Sequence, residues 1–174
     1  MSEEISYAWG ESSLGGFIVA TSHAGIVALE FADNRIAVLD ALMQRFSGAT
    51  MEEDQSRLAD LVETLSDVID QPETVADIPL DPRGSEYERQ VWQMLRDIPA
   101  GETTNYGALA AQLGTNDARD VTAAIAANGI AILIPCHRVI KKDGSISGYR
   151  WGYRRKRALL EREKADAMLH FVVR

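Results

Sequence analysis

The chain has 174 residues, 46% hydrophobic and 25% charged, with 13 glycines and 5 prolines, which sets aside disordered, collagen-like and low-complexity classes. Its longest apolar runs, such as Ile130-Ala131-Ile132-Leu133-Ile134, are too short to span a bilayer, the acidic start Met1-Ser2-Glu3-Glu4 predicts no signal peptide, and the single cysteine excludes an internal disulfide. The formal net charge of −8 speaks against nucleic acid until it is divided: residues 1–80 carry 15 Asp/Glu against 3 Lys/Arg, a net of −12, and residues 81–174 carry 11 against 15, a net of +4.

In chain order, Ser6-Tyr7-Ala8-Trp9, Gly16-Phe17-Ile18-Val19-Ala20 and Gly25-Ile26-Val27-Ala28-Leu29-Glu30-Phe31 are short β-branched or aromatic runs. Turn residues separate them, at Ser12-Ser13-Leu14-Gly15-Gly16 and Ser22-His23-Ala24-Gly25, which predicts a meander. Apolar spacings of three and four then predict two helices, one through Ile36, Leu39, Leu42, Met43 and Phe46, the other through Leu58, Leu61, Val62, Leu65 and Val68-Ile69, with Gly48-Ala49-Thr50 as the break. The proline-rich stretch from Gln71-Pro72-Glu73 to Pro82-Arg83-Gly84 reads as a linker. It predicts an acidic α/β domain over residues 1–80 and a second domain over 81–174.

Ser85 and Glu88 form a capping-box pattern ahead of an apolar stripe, Tyr87, Val91, Trp92 and Leu95, and Pro99-Ala100-Gly101 is expected to end that helix. Thr103-Thr104-Asn105 caps a short helix from Tyr106 to Leu113, Gly114-Thr115-Asn116 turns, and a second helix runs from about Asp117 to Asn128. This is the pattern of a helix-turn-helix, although most such pairs are only packed helices. The small residues of the second helix, Val121-Thr122-Ala123-Ala124-Ile125-Ala126-Ala127, fit either a tightly packed core helix or one that lies flat in a duplex groove with Arg119 as its long projecting side chain. An apolar strand, Ala131 to Ile134, leads to Pro135-Cys136-His137-Arg138, and from Arg138 to Arg157 there are eight Lys/Arg and one Asp. A lone cytoplasmic cysteine is commonly an inert core residue. A thiol beside an imidazole, with a carboxylate to orient it, is instead an activatable nucleophile.

The segment Pro135-Cys136-His137-Arg138-Val139-Ile140 resembles the alkyl-acceptor motif of the O6-alkylguanine-DNA alkyltransferases (methylated-DNA–protein-cysteine methyltransferases). Val91-Trp92, Ile98-Pro99-Ala100-Gly101-Glu102-Thr103, Tyr106, Ala127-Asn128, Gly148-Tyr149-Arg150-Trp151-Gly152 and Leu159-Leu160-Glu161-Arg162-Glu163 resemble the rest of that family's active domain, of the bacterial type. The resemblance implies a ribonuclease H-like N-terminal domain of sheet plus helices. It also implies a mainly α C-terminal domain with a winged helix-turn-helix, the wing being a hairpin near Lys141-Lys142-Asp143-Gly144.

It further implies irreversible transfer of an alkyl group, mainly methyl, from O6-alkylguanine and less so O4-alkylthymine, in a base flipped out of duplex DNA, to Cys136. In that scheme His137 is the base through a water, Glu163 holds His137, and Asn128 braces the acceptor segment. Tyr106 and Lys156 donate toward the leaving base. Arg119 fills the gap in the stack, with Tyr106, Thr122, Ala123, Ala126 and Arg138 at the DNA surface and Val139, Gly148, Tyr149, Arg150 and Trp151 around the base. No cofactor and no metal are implied, the partner is double-stranded DNA and not a membrane, and a cytoplasmic monomer is expected.

Two residues depart from the family pattern: Asp120 stands where a small residue usually follows the arginine, and Trp151 is expected to narrow the pocket mouth against large alkyl groups. Two other functions stay open on the residues alone, a non-reacting binder of alkylated DNA and a cysteine hydrolase.

Overall fold

The computed structural model describes residues 2–72, 74, 76–115 and 117–173, the last five without their side chains. The chain forms two compact units, residues 1–83 and 84–174. The fold is mixed α/β, with a sheet in the N-terminal unit and a largely helical C-terminal one.

In the first unit β1 (Glu3–Ser12), β2 (Gly15–Thr21) and β3 (Ile26–Phe31) form the antiparallel meander that the turn residues predict. A fourth strand, β4 (Ala49–Glu53), occupies the expected break between helices and pairs parallel with β1, giving the order β3-β2-β1-β4. Helix α1 (Arg35–Arg45) is capped by the Asn34 side chain and sets Leu42 and Phe46 against Ile5, Tyr7, Ile18 and Ala20. Helix α2 (Ala59–Asp70) buries Leu65 and Ile69 and is tied to the sheet by a hydrogen bond from Ser66 Oγ to Glu11 O. Burial of both faces explains why β2 reads as a continuous apolar run and not as an alternation. Gly10 is required by contact: a Cβ there would lie 2.3 Å from the Phe17 ring.

The stretch expected to be a free linker is part of this unit at its C-terminal end. Leu80 bridges Ile26, Ile26 N donates to Pro79 O, and Asp81 N donates to Ile26 O. The unit therefore closes at Arg83, whose guanidinium pairs with Glu3 and Asp81, and not at residue 80. Glu73, in the same stretch, lies outside the described residues.

The second unit opens with α3 (Glu86–Arg96), where both halves of the Ser85/Glu88 capping box are formed. The helix stops at Arg96, ahead of the Pro99-Ala100-Gly101 signal. A two-residue strand, β5 (Thr104–Asn105), leads into α4 (Tyr106–Gln112), which Asn105 caps. Helix α5 (Ala118–Ala126) follows, capped by Asp117. The turn between them uses Gly114 at φ +77°, where a side chain would be strained, while Asn116 lies outside the described residues.

The small residues of helix α5 divide between a buried and an exposed face. Val121, Ala124 and Ile125 are buried, and Trp92 Nε1 donates to Ala124 O at 2.8 Å, while Thr122, Ala123 and Ala126 are exposed. Two expected elements are absent from the described residues. Ala131–Ile134 is a series of turns and not a strand, and the hairpin near Lys141–Gly144 is a tight turn closed by Lys141 N to Ser145 O. The strand before that turn, β6 (Val139–Ile140), pairs in parallel with β5 instead of with a following strand. Helix α6 (Tyr153–Val173) ends the unit.

Candidate active site

The loop that delivers Cys136 is bent twice. Leu133 N bonds to Ala131 O across Ile132, a β-branched residue held at φ 70°. Cys136 N bonds to Ile134 O across Pro135, whose φ of −81° and ψ of 62° suit an inverse γ-turn. The first bend is strained by about 1–3 kcal/mol. Asn128, 1% exposed, holds it: Oδ1 accepts from Ile130 N at 2.9 Å, and Nδ2 is shared among Ile134 O (3.0 Å), Ile130 O (3.3 Å) and Cys136 Sγ (3.3 Å). An amide with both donor and acceptor can satisfy both sides of such a loop, which no apolar residue could.

Cys136, His137 and Arg138 then form one 3-10 turn. In this turn successive side chains lie about 120° apart, whereas on a strand they would face opposite ways. Cys136 is buried at the floor of a cavity of about 640 Å³ whose wall includes Tyr106, Thr122, Ala126, Ser147, Gly148 and Tyr149. Burial raises the thiol pKa, against the opposing pull of the Asn128 amide and the Lys156 ammonium.

His137 is fully buried, with Nε2 2.7 Å from Glu163 Oε1. Glu163 also accepts from Arg138 Nε (3.1 Å) and Nη2 (2.9 Å). Burial works to raise the Glu163 pKa, but the hydrogen bonds from His137 and Arg138 prevail and hold it at about 2. An ionised carboxylate only accepts, so His137 Nε2 carries the proton and Nδ1 bears the lone pair. Nδ1 is buried and has no hydrogen-bond partner in the protein. Burial also lowers the His137 pKa, so the imidazole is neutral at pH 7 and free to take a proton.

These shifts fix an acid response. The unfolded chain binds a proton at His137 below about pH 6.5 that the folded one resists, and between pH 4.5 and about 2 the same holds for Glu163. Both slopes have one sign: stability falls as pH falls, and the Glu163 window alone accounts for about 3 kcal/mol. The urea midpoint of unfolding should drop steadily from pH 7 to pH 4, and Glu163→Gln should flatten the part below pH 4.5; a midpoint independent of acid would contradict the assignment.

The remaining expected residues fall into three groups. Tyr106, Thr122, Ala126, Gly148, Tyr149 and Arg150 line the cavity with Cys136. Lys156, 1% exposed, lies behind the wall with its pKa lowered by burial to about 8, and its Nζ donates to Ser147 Oγ at 2.9 Å. Others lie elsewhere. Arg138, expected at the DNA surface, is turned inward, held by Glu163 and by Ile98 O at 2.5 Å. Val139 and Trp151 are buried and do not line the cavity. Trp151 packs edge-on against Tyr149 at 5.2 Å, so it supports the wall and does not narrow the mouth. Ala123 faces a separate small hollow with Tyr87 and Asp120. Arg119 is 91% exposed and engaged by Asp117 through Nε and Nη2 at 3.0 and 2.9 Å. Sequence reasoning missed Ser147, Ile125 and Lys141 in the wall; a serine one place before Gly148-Tyr149 carries no signal until the loop brings it beside Tyr106.

Among the described residues no group of His, Cys, Asp and Glu is placed to hold a metal ion, and no helix is long and apolar enough to cross a membrane.

Comparison with known proteins gives a consistent set of likenesses. The family model for the 6-O-methylguanine DNA methyltransferase DNA-binding domain matches residues 86–165. The bifunctional transcriptional activator/DNA repair enzyme Ada of Escherichia coli is 42% identical over 160 residues, 91% of this chain and 45% of that protein. The methylated-DNA–protein-cysteine methyltransferase of Mycobacterium tuberculosis is 50% identical over 95 residues, 54% of this chain and 58% of that protein. The chain thus spans about half the length of the curated relatives it matches. Among solved structures, Mycobacterium tuberculosis OGT in complex with DNA superposes with a TM-score of 0.76 at 34% identity, covering 92% of this chain and 93% of that one.

Proposed function

The chain belongs to the 6-O-methylguanine DNA methyltransferase family, and from that premise we propose that it repairs DNA by moving the alkyl group of O6-alkylguanine, mainly methyl, onto its own Cys136. The observation that carries this reading is the arrangement of Cys136 at a cavity floor beside a neutral imidazole whose free lone pair is fixed by Glu163. A cavity of about 640 Å³ lies in the range of small-molecule sites and admits a purine with its substituent. Its entrance wall includes exposed small residues of α5, Thr122 and Ala126, which allow close approach of a duplex, and Arg119 projects from the start of the same helix.

The chemistry follows from the groups present. The base must leave the stack, at a cost of a few kcal/mol that poor pairing of an alkylated guanine reduces. His137 Nδ1 takes the thiol proton, directly or through one water, and Glu163 stabilises the imidazolium that forms. The thiolate displaces guanine at the alkyl carbon. Tyr106 donates toward the leaving base, with Lys156 behind it. The product is a thioether that water does not cleave, so each molecule reacts once. O4-alkylthymine, a smaller base carrying the same leaving chemistry, is the lesser substrate. Nucleophile, base and donors all come from one chain, so a monomer suffices. The helix pair α4–α5 with the tight turn after β6 serves as a winged helix-turn-helix reduced to its turn, and the first unit as a ribonuclease H-like sheet domain, within a cytoplasmic setting.

Mixing excess methylated duplex with the protein tests the turnover: substrate loss should stop at one equivalent per chain, and continued loss would favour a hydrolase. DNA affinity gives a second test. Asp120 is exposed on α5 beside Arg119 and would face phosphates. Asp120→Ala should tighten duplex binding about two- to fivefold at fixed low salt, with the gain shrinking as salt rises. Unchanged or weaker binding in that titration would show that this carboxylate points away from the duplex.

A further inference from the structure

Ser147 lies in the loop between β6 and α6, lines the cavity with Tyr106 and Cys136, and is bonded on both sides. Its Oγ is 2.9 Å from Lys156 Nζ and 2.6 Å from the Tyr106 hydroxyl oxygen. A protonated lysine only donates, so Ser147 Oγ accepts from Lys156. When Ser147 gives its own proton to the Tyr106 oxygen, the Tyr106 proton is left to point into the cavity.

We infer that Ser147 is a positioning residue for alkyl transfer, which couples the buried Lys156 to Tyr106 and thereby aims the Tyr106 proton at the leaving base. The inference rests on the function proposed above. In the transfer step the alkyl carbon–O6 bond breaks as the carbon–Sγ bond forms, and the electron pair stays on the guanine. Tyr106 neutralises it with a proton, Ser147 restores the proton of Tyr106, and Lys156 restores that of Ser147 and ends neutral. The thiol proton resides on His137.

The coupling has a direction that depends on charge. When Lys156 is neutral its nitrogen can accept, Ser147 donates to it, and Tyr106 donates to Ser147 instead of into the cavity. Lys156 loses its proton at about pH 8, because burial lowers its pKa against the pull of the nearby Cys136; His137 is the other titratable group that Lys156 faces, and it stays neutral there. Transfer should therefore weaken on the alkaline side even as the thiol ionises.

The experiment compares methyl uptake from an O6-methylguanine duplex by the wild-type chain, Ser147→Ala and Ser147→Thr on both sides of pH 8, with duplex affinity measured alongside. Ser147→Ala should transfer about tenfold more slowly at neutral pH with unchanged affinity, and its rate should lose the alkaline fall. Ser147→Thr, which keeps the hydroxyl, should retain both the rate and the fall. A Ser147→Ala protein with the wild-type rate, or one that is slower yet keeps the alkaline fall, overturns the inference and leaves the proposed function standing. A threonine variant that behaves like the alanine one does the same, since the serine then only packs. Absence of methyl uptake by the wild-type chain overturns the function, and the inference with it.

Discussion

Replacing Cys136 with serine will abolish methyl uptake, by more than about 10⁴-fold, and leave binding of the methylated duplex intact. Serine keeps the volume and the loop, because Asn128 still holds Ile130 and Ile134. What it loses is the nucleophile. A buried thiol is already shifted toward its neutral form, but a neighbouring base and the Asn128 amide can carry it to the thiolate. A hydroxyl is several units harder to ionise, and its hard oxygen attacks a saturated carbon poorly. The variant would then act as a binder of alkylated DNA that does not react, which is the behaviour of the second candidate function. Rapid-quench uptake and a duplex titration on the same preparation check both halves. Residual transfer at a tenth of the wild-type rate would place the acceptor elsewhere.

Glu163→Gln is expected to cost on the order of 10²–10⁴ in transfer rate and about 3 kcal/mol in stability, again without loss of duplex affinity. The amide can present either end to His137. With its NH₂ turned inward it donates to Nε2, which moves the imidazole proton to Nδ1 and removes the lone pair that the thiol needs. It also removes the carboxylate that stabilises the imidazolium. The stability loss has a separate origin: Arg138, 15% exposed along its side chain, keeps Ile98 O but loses its counter-charge. Rate and urea midpoint are therefore expected to fall together, while Ser147→Ala lowers the rate alone. A Glu163→Gln protein that transfers at the wild-type rate would show that His137 is not the base.

Much of the architecture was legible because short-range signals there agree with the tertiary outcome. The three meander strands are bounded by glycine and serine turns, and the Ser85 capping box and the Asn105 cap both start helices where the sequence places them. The failures share a cause. Ala131–Ile134 has strand composition, but the Asn128 amide binds Ile130 just before it and Ile134 O at its end, and the chain between them turns. Ala49–Glu53 pairs with the distant Glu3–Tyr7, a long-range contact that leaves no local pattern. The Pro79–Asp81 segment reads as linker because its prolines break regular structure, yet two backbone bonds to Ile26 seat it against β3.

In the site, the resemblance named Cys136, His137, Glu163, Asn128, Tyr106 and Lys156, and the structure pairs Asn128 with Cys136 and His137 with Glu163, and links Tyr106 and Lys156 through Ser147. That geometry turned Arg138 from a surface contact into a partner of Glu163, set Trp151 behind Tyr149, and added Ser147, which no spacing rule selects.

One buried sulfur, that of Cys136, is expected to keep the alkyl group for good. Mass spectrometry of the intact protein and of its peptides, after mixing with an O6-methylguanine duplex, tests this most directly. One hydrogen should be replaced by one methyl per chain, on the peptide that contains Cys136, with unmodified guanine left in the DNA. A protein of unchanged mass, whether the DNA is still methylated or has been cleared of methyl, would contradict it.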